Sequence, residues 1–302
     1  MKRRKFIKES GVIAIGVSVF GNVSWSKDGF IADTPTTTDI LGPFYRPGAP
    51  KKINITPSSY SGKLFHVSGT VFKQDGKTPF KDCQIEVWQC DENMNYDNQS
   101  DDFRFRGRQQ TGHDGKYHFI CMHPIPYPDI IGENKSKMRP AHIHFLISGD
   151  GQQDLVTQIY LEDDPYIKED NAASIPNAMN RILKITRNNK GEEYVNFEIV
   201  MAKEFIPADS VFERLSGLYK MNDNSVFEFY RQGDLLFFKR NSQIRDGLSY
   251  KGNNTFSGGI NNLTTTNFQI GASDEVKVKM HFKTVNNGEF DLEGIRILKY
   301  KN

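Results

Sequence analysis

Short runs in which apolar and polar residues alternate recur along most of the chain, and turn-forming residues separate them. Residues 276–282 are the clearest case, because Val276, Val278, Met280 and Phe282 alternate with polar residues. An alternation of period two is typical of a strand with one buried face and one wet face. Comparable runs predict strands at 66–72, 84–90, 116–121, 141–147, 155–160, 194–200, 226–230, 235–240, 276–282 and 295–300.

The turns between these runs favour an all-β fold. Asp-Gly pairs at 75–76, 114–115 and 150–151 stand between predicted strands, where they are good hairpin signals. Long helical periodicities are scarce. We therefore expect a chain built from antiparallel strands, with the first group of strands forming a β-sandwich.

Two β domains are expected after an N-terminal segment. Residues 27–205 are predicted to form the β-sandwich domain, which is interrupted by long loops at 91–112 and 122–138. Loops of this length in a compact domain are usually functional or disordered. Residues 206–302 are predicted to form a small antiparallel sheet or open barrel of unknown role, after a linker at 207–210.

Residues 1–26 have the pattern of an export signal. A basic start is followed by an apolar run at 11–20, which is too short to span a bilayer comfortably. The stretch from Arg3-Arg4 to Lys8 resembles a twin-arginine signal, and an ordinary secretory signal with a basic start is the alternative. The twin-arginine pattern predicts a periplasmic protein with no stable membrane span after removal of the signal.

The net charge argues against a nucleic-acid-binding protein, and the cysteine content argues against a disulfide-stabilised fold. The net charge of the 302 residues is +2, and since residues 1–26 carry +4, the rest carries −2. Such a balance provides no basic field for binding nucleic acid. The three cysteines, Cys83, Cys90 and Cys121, are too few for a disulfide framework. They could form one disulfide and leave a free thiol, or all three could be buried thiols.

Candidate chemistry centres on the sequence Arg139-Pro140-Ala141-His142-Ile143-His144-Phe145. Successive side chains on a strand point to opposite faces, so His142 and His144 share one face and the apolar residues share the other. Imidazole is the commonest protein metal ligand near neutral pH. Two histidines on one strand face therefore predict a metal site, although paired histidines also occur on ordinary exposed strands.

Further motifs appear in a fixed order around this pair: Gly-Pro-Phe-Tyr at 42–45, Val-Trp-Gln at 87–89 followed by Tyr96, Pro-Tyr-Pro at 126–128, and Thr-Gln-Ile-Tyr at 157–160. Together with Asp-Gly-Lys-Tyr-His-Phe at 114–119, they span about residues 41–166. In this combination the chain resembles the intradiol ring-cleaving dioxygenases, the family of the catechol and protocatechuate 3,4-dioxygenases.

The resemblance implies a mononuclear non-haem Fe(III) held by Tyr96, Tyr127, His142 and His144. Free tyrosine has a pKa of about 10, so a strong Lewis acid would be needed to keep two phenolates at neutral pH. The implied reaction is cleavage of a catecholic substrate by O2 to a cis,cis-muconate-type product. Tyr127 would serve as the axial ligand and as a base.

The resemblance also implies roles around the metal. Arg139 would stabilise negative charge on the ring, and an ordinary ion pair is its alternative. Gln158 would orient Arg139 and polarise the pocket, unless it is a satisfied core amide. Tyr45 would line the substrate pocket or simply pack. Asp129 would also line the substrate pocket, at a position where protocatechuate enzymes are expected to have an aromatic residue, so the identity of the substrate stays open.

Other aromatic and histidine residues are expected to be structural. Tyr117 and Tyr160 are predicted core residues, and His113, His118 and His123 are predicted surface or loop residues. The chain would work alone or as a homo-oligomer. The competing hypothesis is a non-catalytic exported β-sandwich binding protein that retains a metal site, because fold alone does not give function.

Overall fold

The structure is a computed structural model that describes residues 16–18, 21–26, 29–32, 35–129, 137–205, 207–284 and 288–300. Three strands, β1 (Gly16–Ser18), β2 (Gly21–Ser26) and β3 (Gly29–Ala32), form an antiparallel sheet at the N-terminus. Residues 1–15, 19 and 20 of the predicted export signal lie outside the described residues. That prediction is therefore not tested.

Thirteen strands then follow up to residue 203. They are β4 (Leu64–Phe72), β5 (Gln84–Trp88), β6 (Arg106–Gln110), β7 (Lys116–Met122), β8 (Tyr127–Pro128), β9 (Met138–Arg139), β10 (His142–Gly149), β11 (Gln152–Leu161), β12 (Ile182–Leu183), β13 (Thr186–Arg187), β14 (Glu193–Asn196), β15 (Ile199–Val200) and β16 (Ala202–Lys203). Two short 3₁₀ turns, Ile167–Glu169 and Pro176–Arg181, lie between β11 and β12.

These strands form the predicted sandwich. One sheet has the order β12-β11-β10-β5-β6, with β16 also paired to β11, and the other has the order β13-β14-β4-β15, with β7 paired to β4. The apolar faces meet in one buried cluster that includes Phe65, Val87, Phe119, Ile143 and Phe145. The alternation of β10 therefore buries Ile143 and Phe145 between the sheets and turns His142 and His144 the other way.

Two details of the sandwich differ from the predicted strands. Strand β6 lies inside the predicted loop 91–112, because its polar sequence Arg-Gly-Arg-Gln-Gln has no apolar alternation and is held by pairing with β5. The predicted strand 194–200 is divided into β14 and β15, both parallel to β4. The division occurs at Phe197, whose side chain packs in the core.

The remaining described residues form a closed barrel. Helix α1 (Asp209–Leu215) begins within the predicted linker 207–210, and none of the helices in the described part of the chain is long and apolar enough to cross a membrane. The barrel strands are β17 (Gly217–Met221), β18 (Val226–Gln232), β19 (Leu235–Arg240), β20 (Gln243–Gly252), β21 (Thr255–Gly258), β22 (Thr264–Ile270), β23 (Val276–Thr284) and β24 (Gly288–Lys299).

The prediction of a second, antiparallel β domain, either a small sheet or an open barrel, is confirmed, and the structure adds that its eight strands close on themselves. Closure depends on β24, which pairs with β23 along one edge and with β17 along the other. Aromatic side chains fill the interior, among them Phe227, Phe229, Phe256 and Phe268.

Sandwich and barrel share a third apolar cluster. Leu41, Tyr45, Trp88 and Val156 of the sandwich side pack with Leu235 and Phe237 of β19. The segment 35–41, which we call the strap, runs along β11, where the Asp39 N–H donates to the Val156 carbonyl at 2.9 Å. The strap therefore lies between the two β units.

Candidate metal centre

Four side chains predicted to be metal ligands meet at one point. The Tyr127 hydroxyl lies 3.0 Å from His142 Nε2 and 3.1 Å from the Tyr96 hydroxyl. The Tyr96 hydroxyl is in turn 3.2 Å from His144 Nε2 and 3.5 Å from His142 Nε2. Two oxygens and two nitrogens therefore surround a space small enough to be filled by one ion.

Local structure explains why these four groups converge. His142 and His144 occupy alternate positions of β10, and the pairing of β8 with β9 places Tyr127 opposite Arg139, three residues before His142. The loop after β5 brings in Tyr96, whose ring stacks on Phe44 with centroids 4.4 Å apart and an interplanar angle of 7°. Trp88, at the end of β5, stacks on His144 in the same way at 4.9 Å.

Each histidine presents Nε2 to this space. The His142 Nδ1–H donates to the Pro140 carbonyl at 2.6 Å, which fixes the tautomer and leaves Nε2 as a lone-pair donor. Burial, followed by the charge of Arg139, lowers the pKa of His142 to about 3. Burial likewise lowers the pKa of His144 well below its ordinary value. Both imidazoles are therefore neutral, as a metal ligand requires.

The two phenols fit a strongly charged cation. Burial raises the pKa of Tyr127 to about 12, and burial together with Tyr127 raises the pKa of Tyr96 well above its ordinary value. Without a cation both would stay protonated at neutral pH. Ligand bonds of roughly 2.0–2.1 Å to imidazole nitrogen imply that neighbouring donors lie about 2.9–3.5 Å apart, and the four distances given above fall in that range.

The donor set also narrows the kind of metal. Among the described residues there is no metal-binding group of three or more His, Cys, Asp or Glu side chains. A metal at this point would depend on phenolate oxygen, which is a hard and anionic ligand. The arrangement therefore suits Fe(III) and differs from the two-His-one-carboxylate site of Fe(II) oxygenases.

Arg139 lies beside the donor set in a buried polar network. Its Nε donates to Asp170 Oδ2 at 2.8 Å, and its Nη2 donates to Gln158 Oε1 at 3.2 Å and to the Tyr160 hydroxyl at 3.3 Å. Burial alone would raise the pKa of Asp170, but Arg139 and two backbone N–H groups hold it below its ordinary value. The alternative reading of Arg139 as an ion-pair partner is therefore correct, since it pairs with Asp170. The same guanidinium also lies beside the donor set, because Arg139 is three residues before His142 and pairs with Tyr127 across β8 and β9.

Gln158 is satisfied at both ends of its amide. Its Nε2 donates to the Ile40 carbonyl of the strap at 2.8 Å, while its Oε1 accepts a hydrogen bond from Arg139 and lies 3.2 Å from the Tyr160 hydroxyl. The contact needed to orient Arg139 is therefore present, although the amide is also fully buried, like a core residue.

The sequence reasoning missed several members of this network. Tyr160 is buried as predicted, but its hydroxyl donates to Asp39 Oδ2 at 2.7 Å, and Arg181 Nη1 donates to the same oxygen at 2.5 Å. Asp170 was missed as well. Of these residues, only Tyr160 could have been found from the sequence, because it ends the Thr-Gln-Ile-Tyr motif. No local sequence pattern marks Asp39, Asp170 or Arg181.

A cavity of about 210 Å³ opens beside Arg139. Asp129, a predicted pocket residue, lies on its wall together with Met138, and Ile40 of the strap lines another side. Tyr45 lies elsewhere: its ring packs between Trp88 and Phe237, with centroids 5.1 and 5.5 Å away, and its hydroxyl pairs with Glu86. The structure therefore favours packing for Tyr45, and its neighbour Phe44 is the residue in contact with the donor set.

The other histidines and the cysteines lie apart from this site. His113 is exposed, His118 pairs with His66 at 3.1 Å on the outer face of the sheet, and His123 pairs with Glu193 at 2.7 Å. All three cysteines are buried free thiols, which selects one of the two predicted alternatives. Tyr117 lies in the sandwich core, as predicted.

Comparison with known proteins identifies the fold and its relatives. A family model described as Dioxygenase matches residues 40–203, which is more than half of the chain. Hydroxyquinol 1,2-dioxygenase of Rhodococcus opacus is 32% identical over 180 residues, covering 55% of this chain and 58% of that protein. An intradiol ring-cleavage dioxygenase of Aspergillus niger is 31% identical over 159 residues, covering 47% of this chain and 50% of that protein.

A solved structure agrees at the level of the fold. Catechol 1,2-dioxygenase of Acinetobacter radioresistens superposes with a TM-score of 0.50 and 24% identity, covering 58% of this chain and 66% of that chain. The chain spans about half to three fifths of the length of the two curated relatives. Since the family match includes the strands and loops that carry all four donors, the chain belongs to the intradiol ring-cleavage dioxygenase family.

Proposed function

We propose that this protein is an Fe(III)-dependent dioxygenase that cleaves a catecholic aromatic between its two hydroxyl-bearing carbons. The observation that carries the proposal is the convergence of the Tyr96 and Tyr127 hydroxyls with Nε2 of His142 and His144. The substrates are O2 and a catechol, and the product is of the cis,cis-muconate type, with both oxygen atoms incorporated.

The bound Fe(III) would supply Lewis acidity that ionises the catechol and makes its ring reactive towards O2. Tyr96, Tyr127, His142 and His144 would hold it. A catechol loses two protons when it is ionised; the chain's own task is to receive one of them, and the other passes to solvent. Tyr127 suits this role, because burial raises the pKa of its hydroxyl to about 12 and its phenolate would therefore be a strong base.

Arg139 would stabilise the negative charge of the ionised ring. Its guanidinium is buried next to Tyr127 and is held in place by Asp170, Gln158 and Tyr160. A fixed cation in a site of low dielectric stabilises developing charge without having to reorganise during the reaction. Gln158 and Tyr160 would act through Arg139 by fixing its orientation.

The test is oxygen consumption by the iron-loaded protein with catechol and with hydroxyquinol, followed by mass spectrometry of products formed under ¹⁸O2. Incorporation of both labelled atoms into an acyclic dicarboxylate would support the proposal. His142→Ala and His144→Ala should each abolish both iron retention and turnover. His66→Ala, on the outer face of the sandwich, is the matched control and should keep both.

A different outcome would select the competing function. Stoichiometric iron binding without oxygen uptake for any catechol would make the protein a binding protein that retains a metal site. Full iron retention in either histidine variant would remove that residue from the ligand set.

We also propose export to the periplasm through the twin-arginine signal. The support is the sequence Arg3-Arg4-x-Phe6-Ile7-Lys8 before the apolar run at 11–20. Changing both arginines to lysine should leave the protein in the cytoplasmic fraction. Unchanged export of the double variant would instead indicate an ordinary secretory signal.

A further inference from the structure

The barrel reaches the cavity beside Arg139 through one loop. Residues 259–263 join β21 to β22 and contain a short 3₁₀ turn, Ile260–Asn262. Ile260 lines the cavity together with Ile40, Met138 and Arg139. The same side chain packs against the apolar cluster formed by Tyr160, Ala172 and Ala173. A residue of the barrel therefore forms part of the wall of a pocket that otherwise belongs to the sandwich.

The loop is held firmly on the strap by Thr38. The Thr38 hydroxyl donates to the Gly259 carbonyl at 2.7 Å and accepts a hydrogen bond from the Asn262 N–H at 2.9 Å. The Asn261 N–H donates to the Thr38 carbonyl at 2.9 Å. Three hydrogen bonds from one buried residue fix the position of Ile260, and buried bonds of this kind are costly to break.

A second contact anchors the same part of the barrel. Asp246 of β20 is buried and accepts a hydrogen bond from the Leu41 N–H at 3.2 Å. A Cβ atom at Gly259 would lie 3.1 Å from Asp246 Oδ2. With a φ of +69°, Gly259 adopts the left-handed conformation that favours glycine, so the loop has little freedom to move away.

The strap connects this loop to the reaction centre. Between Thr38 and Leu41 lie Asp39, which binds Tyr160 and Arg181, and Ile40, whose carbonyl accepts from Gln158. Both Tyr160 and Gln158 accept hydrogen bonds from Arg139. The position of Ile260 is thus set by the same short segment that positions Arg139.

We propose that Ile260 is a specificity-determining residue, by which the barrel limits the size of the substrate. This inference rests on the proposed function. A substrate held at the four donors would extend past Arg139 into the cavity of about 210 Å³. Since a dry cavity of about 150 Å³ accepts one benzene ring, this space would accept a single ring with small substituents. The preferred substrates are therefore single-ring catechols without bulky groups on the side that faces the barrel.

The experiment compares catechol with 4-tert-butylcatechol in the full-length protein. In Ile260→Ala, the ratio of kcat/KM for the bulky compound to kcat/KM for catechol should rise by about tenfold or more, the value of one or a few methylene groups in an apolar pocket. The ratio of dissociation constants, measured by calorimetry without O2, should shift in the same direction. Ile297→Ala, an equal truncation at an exposed position of β24, should change neither ratio.

A second pair of variants tests whether the loop must be held in place. Thr38→Val keeps the shape but removes the hydroxyl that bonds Gly259 and Asn262, and it should shift both ratios in the direction of Ile260→Ala. Thr38→Ser keeps the hydroxyl and should retain the wild-type ratios.

The outcomes separate this inference from the proposed function. Active protein whose ratios are unchanged in Ile260→Ala overturns the inference and leaves the proposed function standing. A shift in the dissociation constants of a protein that turns over no catechol supports the inference and defeats the function. Wild-type protein that binds neither compound overturns both.

Discussion

The site depends on single atoms of Tyr127, His142 and His144. Strand β10 places the two histidines on one face, and the pairing of β8 with β9 brings Tyr127 to them. His142 presents Nε2 because Pro140 occupies its other nitrogen. Tyr127 is brought to within 3.0 Å of that Nε2 by the pairing of β8 with β9. Substitutions that remove one of these atoms should therefore lower metal binding more than they lower the stability of the fold.

Tyr127→Phe removes one hydroxyl and leaves the ring. We expect weaker iron retention and a fall in turnover of roughly 10²–10⁴-fold, the range for losing a proton-transfer group. Iron analysis and steady-state oxygen uptake measure the two effects. Tyr117→Phe is the matched control, because Tyr117 is equally buried but its hydroxyl donates to the Phe197 carbonyl in the core. Equal activity of Tyr127→Phe and the control would remove Tyr127 from the mechanism.

At the residue scale the sequence was most informative where a motif carries chemistry. All four proposed ligands could be named from the order of short motifs, and the structure brings them together. Asp39, Asp170 and Arg181 could not be named, because the contacts that join them to Tyr160, to Arg139 and to each other span 31 to 142 residues of the chain, and no local pattern records such pairing. Phe44 was missed in favour of Tyr45, since a loop gives no periodicity from which to deduce which side chain points inward.

At the scale of elements, strand β4 is paired along both edges, and at Gly69 it is also approached closely by the backbone of Phe197. It pairs with β7 on one edge and with β14 and β15 on the other, and the Phe197 carbonyl lies against Gly69. A Cβ atom at this position would lie 1.9 Å from that carbonyl oxygen. The chain between β14 and β15 therefore requires glycine in the neighbouring strand.

Gly69→Ala should lower the free energy of unfolding by roughly 3 kcal/mol, the upper end of the penalty for overpacking a core. Urea denaturation followed by fluorescence measures the loss. Gly76→Asn provides a control: no atom lies within 4 Å of its Cβ position, and asparagine tolerates its left-handed backbone. The control should change stability by no more than about 0.5 kcal/mol. Equal stability of the two variants would contradict the close approach of Phe197.

Elements with clear alternation were predictable, and polar elements were not. Strands β18, β19 and β23 were predicted close to their observed bounds. Strands β6 and β22, with the sequences Arg-Gly-Arg-Gln-Gln and Thr-Thr-Thr-Asn-Phe-Gln-Ile, owe their conformation to neighbouring strands rather than to their own pattern. Closure of the barrel followed from pairing between β17 and β24, whose paired residues are 73 to 82 positions apart along the chain, and a local pattern does not reveal such pairing.

At the scale of the whole molecule, buried carboxyl groups lie where the sandwich meets the barrel. Asp154 of β11 is buried near the turn between β18 and β19, and the Asp234 N–H donates to its Oδ2 at 3.4 Å. Burial, followed by the nearby Asp234 carboxylate, raises the pKa of Asp154 from an ordinary value of 3.8 to about 7. The folded protein therefore holds a proton that the unfolded chain releases above about pH 4.

This difference in proton binding makes the free energy of unfolding fall as pH rises from about 4 to about 7. Asp154→Asn removes the titration, so between pH 4 and pH 8 the variant should gain roughly 1–4 kcal/mol relative to the wild type. Denaturation profiles at a series of pH values provide the measurement. Asp75→Asn is the control, because hydrogen bonds from Thr78 hold the pKa of Asp75 at about 2. Parallel profiles for Asp154→Asn and the wild type would rule out this titration.

The central claim is that Tyr96, Tyr127, His142 and His144 bind one ferric ion that is open to a catechol. The most direct measurement is the iron content and visible spectrum of the purified protein, before and after catechol is added without O2. We predict one iron per chain and a phenolate-to-Fe(III) absorption band that shifts when catechol is added. A colourless protein that takes up no ferric iron would contradict the claim.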